Sequence, residues 1–442
     1  MRKEENKMAD WREKYKEKIV SIDEALSRVK GGDRISPVGA VYSILDRLAE
    51  KVEGFDEPVT LVMALIPREL EILRPEYADK VDIESNFFGF IERGLKKNGR
   101  WVDCAPVHLS DSVYAMYAVA PPDVVVMAAT PPDENGYVSF GIGGQDERIT
   151  DQARVKIAQI NEKVPYVKGE GVMYKLEDFD CIIDLTEDLA VSPPAKEPSE
   201  TEKKIAENVL PYIKDGACIQ LGIGGIANAV GSFLKDKKDL GIHTEMFVDA
   251  MVDLIECGAV NNSRKNLDKG ISVMGFAGGT QLLIDYLNNN DNVITKSFTY
   301  VNNPHVISQI DDFISINGTM SVDLFGQCYS ESIGFSQFSG TGGQVDFVRG
   351  ARHSKGGHSF ICLPSTMTRK DGTVTSKIVL NNDPGTIVTT LRADVQYVVT
   401  EYGVAYLEGQ TLRSRANQLI SISHPDFREE LASQAKIQGL IF

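Results

Sequence analysis

Cysteine is sparse in this chain, with six in 442 residues. Cys104, Cys181, Cys218, Cys257, Cys328 and Cys362 stand far apart and never form a C-x-x-C pair. That spacing excludes a zinc knuckle and a disulfide framework and suits the reduced thiols of the cytosol. Basic residues are outnumbered, 47 against 63 acidic ones, for a net charge of −16. A surface of that sign repels nucleic-acid phosphates, so nucleic acid is not an expected partner. Long apolar runs are absent too: no segment approaches the roughly 18 apolar residues of a membrane span. The opening MRKEENKMADWREKYKEK is charged and lacks the apolar centre of a signal peptide or anchor. The cytoplasm is therefore the expected compartment, with no membrane contact. His108, His243, His305, His353, His358 and His424 show neither H-x-H nor H-x-x-x-H spacing, so no metal site is expected.

What is present is ordinary folded protein, 42% hydrophobic and 25% charged. The length exceeds the roughly 250 to 300 residues at which a single core stops growing, so two domains are expected. The clearest break is VSPPAKEPSE, Val191 to Glu200, whose prolines and charges interrupt all periodicity and read as a linker. Residues 1–190 then form an N-terminal domain and 201–442 a C-terminal one. Each opens in the same way. Ser21-x-x-Glu24 and Ser199-x-x-Glu202 are capping boxes for amphipathic helices. Each helix stops at glycine, Gly31-Gly32 or Gly216, and a strand, a glycine turn and a second helix follow. Nearly continuous apolar strands such as DVVVMAAT at Asp123, DCIIDLT at Asp180, GISVMGF at Gly270 and VQYVVT at Val395 are those of sheets buried on both faces. The pattern predicts an α/β fold: two similar open α/β domains with mostly parallel sheets, related by internal duplication. Ligands of such sheets bind at the carboxyl ends of the strands.

Three segments could carry chemistry there. LGIGGIANAV, Leu221 to Val230, is a glycine turn between strand and helix, where free N–H groups favour an anion. It also fits the dinucleotide fingerprint G-x-G-x-x-A through Gly222, Gly224 and Ala227, with Glu245 about where a ribose-binding acid belongs. A nicotinamide-dependent dehydrogenase and a ligand-free tight turn both remain open on this element. In GIHTEMFVDAMVDLIECG, the apolar positions Phe247, Val248, Met251, Leu254 and Ile255 predict a helix ended by Gly258. Glu245 is expected at the strand-to-helix junction, ionised by the helix dipole, either as a nucleophile or as a simple capping acid. From Ser339 to Thr366, six glycines bring backbone close to something, with Arg349, Arg352 and Lys355 near them. A flexible surface loop is the plainer alternative.

Taken in order, QLGIGGIANAV, GIHTEM with its following VD, SGTGGQVDFVRGA, SKGGHSFICLPST and TEYGVAYLEGQTLRSRANQLISISHPDFRE resemble the acetyl-CoA hydrolase/transferase family. PPDENGYVSFG and AQINEKVPYVKGEG extend the resemblance over nearly the whole chain. It implies a CoA-transferase-like fold and transfer of coenzyme A between a short-chain acyl-CoA, such as 4-hydroxybutyryl-, butyryl- or propionyl-CoA, and acetate or another carboxylate. Glu245 corresponds to the family's catalytic glutamate. Gly222, Ile223, Gly224, Gly225 and Ile226 correspond to its first CoA-contacting loop and Met320 to a second contact. Gly343, with Gly342 beside it, corresponds to the amide that holds the thioester oxygen. CoA is then a co-substrate, nothing is bound permanently, and a homodimer is expected.

The chain departs from the family pattern at Ala250, where glycine is usual, and at His358, where lysine is usual. SPVGAVYSILDRLAE near Pro37 also lacks the usual substrate-side pattern, which leaves the acyl group open. Glu401 and Tyr402 resemble a family motif and are candidates for a supporting wall. An acyl-CoA hydrolase on the same site is the nearest alternative, differing only in admitting water. A catalytically silent binding module would keep the glycines but have no use for an ionised Glu245.

Overall fold

The computed structural model describes residues 11–442. The first ten residues, part of the charged opening segment, lie outside the described residues. Two compact units result. One takes in the chain to Val107, Asp111–Ser192 and Gly275–Thr299; the other takes in His108–Ser110, Pro193–Met274 and Tyr300–Phe442. The change at Ser192 falls in the proline-rich stretch, which has neither helix nor strand before Glu200. A single domain from 201 to 442 was expected, whereas the chain from Gly275 to Thr299 groups with the first unit.

In the first unit, Ser21 caps α1 (Ile22–Leu26) by accepting from the Glu24 N–H. The strands β1 (Arg34–Val38), β2 (Val59–Met63), β3 (Val81–Ser85), β4 (Asp103–Cys104), β5 (Val124–Ala129), β6 (Val155–Ile160) and β7 (Cys181–Asp184) build one sheet. Its order is β7-β6-β5-β1-β2-β3-β4, and every pairing is parallel. α2 (Tyr42–Val52) follows β1 and buries Ile44, Leu45, Leu48 and Val52. β5 shows why its sequence is continuously apolar. Val124, Val126 and Ala128 enter one core cluster, while Val125, Met127 and Ala129 enter another on the opposite face. Alternate side chains point to opposite faces, so a strand covered on both must be apolar at every position.

The second unit repeats the opening. Ser199 and Glu202 form a reciprocal capping box on α3 (Glu200–Val209), then come β8 (Cys218–Leu221) and α4 (Gly225–Phe233). The series continues with β9 (Gly241–Phe247), α5 (Asp249–Glu256), β10 (Phe313–Gly318), α6 (Gln344–His353), β11 (His358–Cys362), β12 (Tyr397–Thr400) and β13 (Gly403–Tyr406). Two helices, α7 (Leu412–Ser421) and α8 (Pro425–Ile437), end the chain. These strands lie in the order β13-β12-β11-β10-β8-β9. Only β12 with β13 runs antiparallel. The carboxyl ends of β9, β8 and β10 are therefore neighbours; β8 feeds the glycine turn Leu221 to Val230, β9 carries Glu245 near its end, and β10 leads to Met320. Both units are thus α/β with mostly parallel sheets. Among the described residues, no helix is long and apolar enough to cross a membrane.

Candidate active site

Asn302 and the glycine turn at Gly343 meet Glu245 in the second unit. The β8–β9 register pairs Cys218 with Gly241 and Ile219 with Ile242. The two strands run parallel, so Gly222, just past β8, and Glu245, near the end of β9, lie toward the same edge of the sheet. Glu245 lies inside β9, not at the strand-to-helix junction that the apolar spacing predicts. The strand runs on to Phe247 and α5 begins only at Asp249. Phe247 is therefore extended, and Val248 is an extended N-cap, although their apolar spacing with the later residues suits a helix.

This position sets the electrostatics of Glu245. Glu245 stands four residues ahead of α5, beyond the first turn in which a helix dipole acts strongly. Its carboxyl is pushed up to about 7, chiefly by burial. Two donors oppose this shift, the Asn302 amide and the Gly343 N–H. Asn302 Nδ2 is 2.7 Å from Glu245 Oε2. Because a carboxylate only accepts, the amide must turn its nitrogen this way. The residue keeps partial solvent access, so a reactant can reach it. A carboxylate with a raised pKa is more basic than an ordinary one yet still substantially ionised at neutral pH.

Gly343 is the N-cap of α6, and a side chain on it would collide with the Glu245 carboxylate and the Asn302 amide. Gly342 beside it adopts φ +55°, a left-handed conformation in which glycine carries no Cβ penalty. Its carbonyl accepts from the Leu109 N–H at 3.0 Å. Ser110 then donates its N–H and Oγ to Asp346 at 3.0 and 2.8 Å. The short segment His108–Ser110 thereby braces the glycine turn at the start of α6. Asp346 is buried. Burial raises its carboxyl above the usual carboxylate range, the Ser110 bonds and His108 resist this, and Glu245 adds to it.

The turn after β8 is open. Gly222 donates to the Ile316 carbonyl at 2.9 Å, Ile223 is exposed, and Gly224 holds φ +106° as the N-cap of α4. The Glu202 carboxylate lies against Gly225, so a side chain there would have to push it aside. Ile226 is half-buried in the first turn of α4. Met320, half-buried just past β10, donates its N–H to Tyr329 at 3.1 Å. Glu401 accepts from the Ser365 N–H and Oγ at 2.9 and 2.6 Å, tying the ends of β12 and β11 together.

Not every expected group joins this edge. Arg349 and Arg352 are engaged by Asp394, and Arg352 also by Glu408. Asn302, Ser110 and Asp346 were not singled out from the sequence. Each is an ordinary polar residue in its own segment, and only the contact gives it meaning. Among the described residues, no group of three His, Cys, Asp or Glu side chains could hold a metal ion.

A parallel α/β unit with a half-buried carboxylate inside a strand, met by a main-chain N–H from a glycine turn, has the makings of an acyl-transfer site. The model of the acetyl-CoA hydrolase/transferase N-terminal domain matches residues 1–192, and that of the C-terminal domain matches 279–435. The chain belongs to the acetyl-CoA hydrolase/transferase family. It is 40% identical to the 4-hydroxybutyrate coenzyme A transferase of Clostridium kluyveri, over 97% of this chain and 99% of that protein. The crystal structure of RipA from Yersinia pestis superposes with a TM-score of 0.89 at 36% identity, covering 97% of this chain and 99% of that one. An acetyl-CoA hydrolase of Kluyveromyces lactis is more distant, 26% identical over 69% of this chain and 64% of its own.

Proposed function

We propose that this enzyme moves CoA between a short-chain acyl-CoA and acetate or another small carboxylate, by way of a thioester between CoA and Glu245. The ionised carboxylate attacks the acyl-CoA carbonyl and expels CoA thiolate, leaving an acyl-glutamyl anhydride. The thiolate attacks the glutamyl carbonyl, which releases the donor acid and leaves glutamyl-CoA on the chain. The incoming carboxylate repeats the two steps in reverse. No general base is needed, since the attacking group already carries its charge.

Each addition creates an oxyanion, and the N–H group of Gly343 and those of the turn that follows Gly222 are the donors assigned to it. The anhydride is uphill, so binding of the distant part of CoA must contribute to reaching it. The turn Gly222, Ile223, Gly224, Gly225, Ile226 and the residue Met320 are the CoA contacts in this reading. CoA is a co-substrate, and nothing is bound permanently. The observation that carries the proposal is the contact of the Glu245 carboxylate with the Gly343 N–H. The carboxylate and a donor for its reaction's oxyanion are already side by side. The six free cysteines support a reducing, cytoplasmic setting. A homodimer is the expected assembly.

The test is to incubate the enzyme with an acyl-CoA, reduce with borohydride and locate the modified residue by mass spectrometry. Reduction at Glu245 is the expected result, and labelling at another residue sinks the assignment. Net consumption of the acyl-CoA should depend on added carboxylate, with CoA recovered as the thioester of that acid. Release of free CoA at full rate in water alone would instead make the enzyme a hydrolase.

A further inference from the structure

The pleat of β9 turns His243 and Glu245 to the same face, two residues apart. His243 is fully buried, and its Nε2 lies 2.8 Å from the Val301 carbonyl oxygen. A carbonyl only accepts, so Nε2 carries a proton and donates it. The next residue along, Asn302, is fully buried too and gives its Nδ2 to Glu245 at 2.7 Å. One strand thus grips the 301–302 segment at two points, main chain through the imidazole and side chain through the carboxylate.

The imidazole is itself held. Its ring sits 6.1 Å from that of Tyr300 and 6.0 Å from that of Phe313, centroid to centroid. Packing on these sides leaves the ring little freedom, so the Val301 carbonyl is bound to a fixed donor. Asn302 in turn touches the place where a Gly343 side chain would stand. A shift of the 301–302 backbone would therefore disturb Glu245 and its neighbouring amide together.

We propose that His243 is a positioning residue for the transfer reaction: by holding the Val301 carbonyl, it keeps the Asn302 amide aimed at Glu245. This rests on Glu245 being the nucleophile. Its effect should appear in turnover more than in substrate binding, because a displacement of about 1 Å at a reacting group can cost about a hundredfold in rate. A histidine serving only to fill the core would be replaced by phenylalanine without that consequence.

The experiment is a double-mutant cycle on the full-length enzyme. His243→Phe should lower kcat about tenfold to a hundredfold with KM for the acyl-CoA within about twofold. His243→Gln, which offers an N–H near the position of Nε2, should restore kcat to within about threefold. Asn302→Ala should also lower kcat, and adding His243→Phe to it should change kcat by less than about twofold, because the histidine acts through that amide. If His243→Phe does not fold, His243→Met, which also lacks a donor, takes its place in the cycle. Losses that multiply, or a donor-free variant with wild-type kcat, overturn the inference. Borohydride trapping run alongside separates the two ideas. A wild-type enzyme with no adduct at Glu245 removes the reading of function and this inference together. An adduct at Glu245 with multiplying losses removes the inference alone.

Discussion

Gly343 lies against Glu245 so closely that a Cβ built on it would overlap the carboxylate and the Asn302 amide. At φ −99° the backbone itself would accept alanine, so this glycine is required by its neighbour rather than by its own conformation. Gly343→Ala should therefore fold but displace either Glu245 or the turn that carries the N–H. Loss of one oxyanion donor typically costs about 3 to 4 kcal/mol, or about a hundredfold to a thousandfold in kcat. Steady-state transfer assays, with thermal unfolding as the control for folding, would measure it.

The raised carboxyl of Glu245 gives the rate a definite pH dependence. Attack needs the ionised form, so kcat/KM should rise with pH through about 7 and level off above it. An ordinary glutamate would put that limb nearer 4.5. A profile flat from pH 5 to 8 would contradict the assigned environment.

The same burial makes Glu245 a cost to stability. Its folded pKa of about 7 exceeds the ordinary 4.5, so between those values the native chain keeps a proton that the unfolded chain has lost. Stability falls as pH rises through that window and stays lowered above it. Glu245→Gln should be more stable than wild type by about 1 to 3 kcal/mol at pH 8, with the gap closing toward pH 4.5. Denaturant titrations at the two pH values would show it.

Ser110→Ala removes one of the two bonds that Ser110 makes to the buried Asp346 carboxylate. Leaving a buried acceptor short of a partner should cost about 1 to 3 kcal/mol. Because Leu109 also holds the Gly342 carbonyl, turnover should fall as well, by more than the change in acyl-CoA KM. Unfolding midpoints and a kcat measurement test the two parts separately.

Ser199→Ala removes the reciprocal cap of α3. The expected loss is about 0.5 to 2 kcal/mol of stability. The Glu202 carboxylate bonded by Ser199 also lies against Gly225 at the start of α4, so a larger loss would show that the cap and the glycine turn are coupled.

Much of the architecture was legible in the chain because its signals are local. The cap at Ser199, the apolar run of β5 and the stop at Gly258 each act within a few residues, through hydrogen bonds and side-chain alternation. The ends of β8 and β9, with Gly222 and Glu245, could be marked in the same way. The helical spacing from Phe247 was misleading at its first two residues, since Phe247 still belongs to β9 and Val248 is an extended N-cap.

Residue order therefore accounts for the α/β class, the capped helices, the glycine turns and an acid near the end of a parallel strand, all of which rest on forces between near neighbours. Folding in three dimensions decided the rest: that Asn302, 57 positions beyond Glu245, supplies its amide, that His243 holds the adjoining carbonyl, and that Ser110 reaches Asp346 across 236 positions. It also set the acidity of Glu245, since desolvation depends on how many atoms surround a group, and those atoms come from segments far apart in the chain.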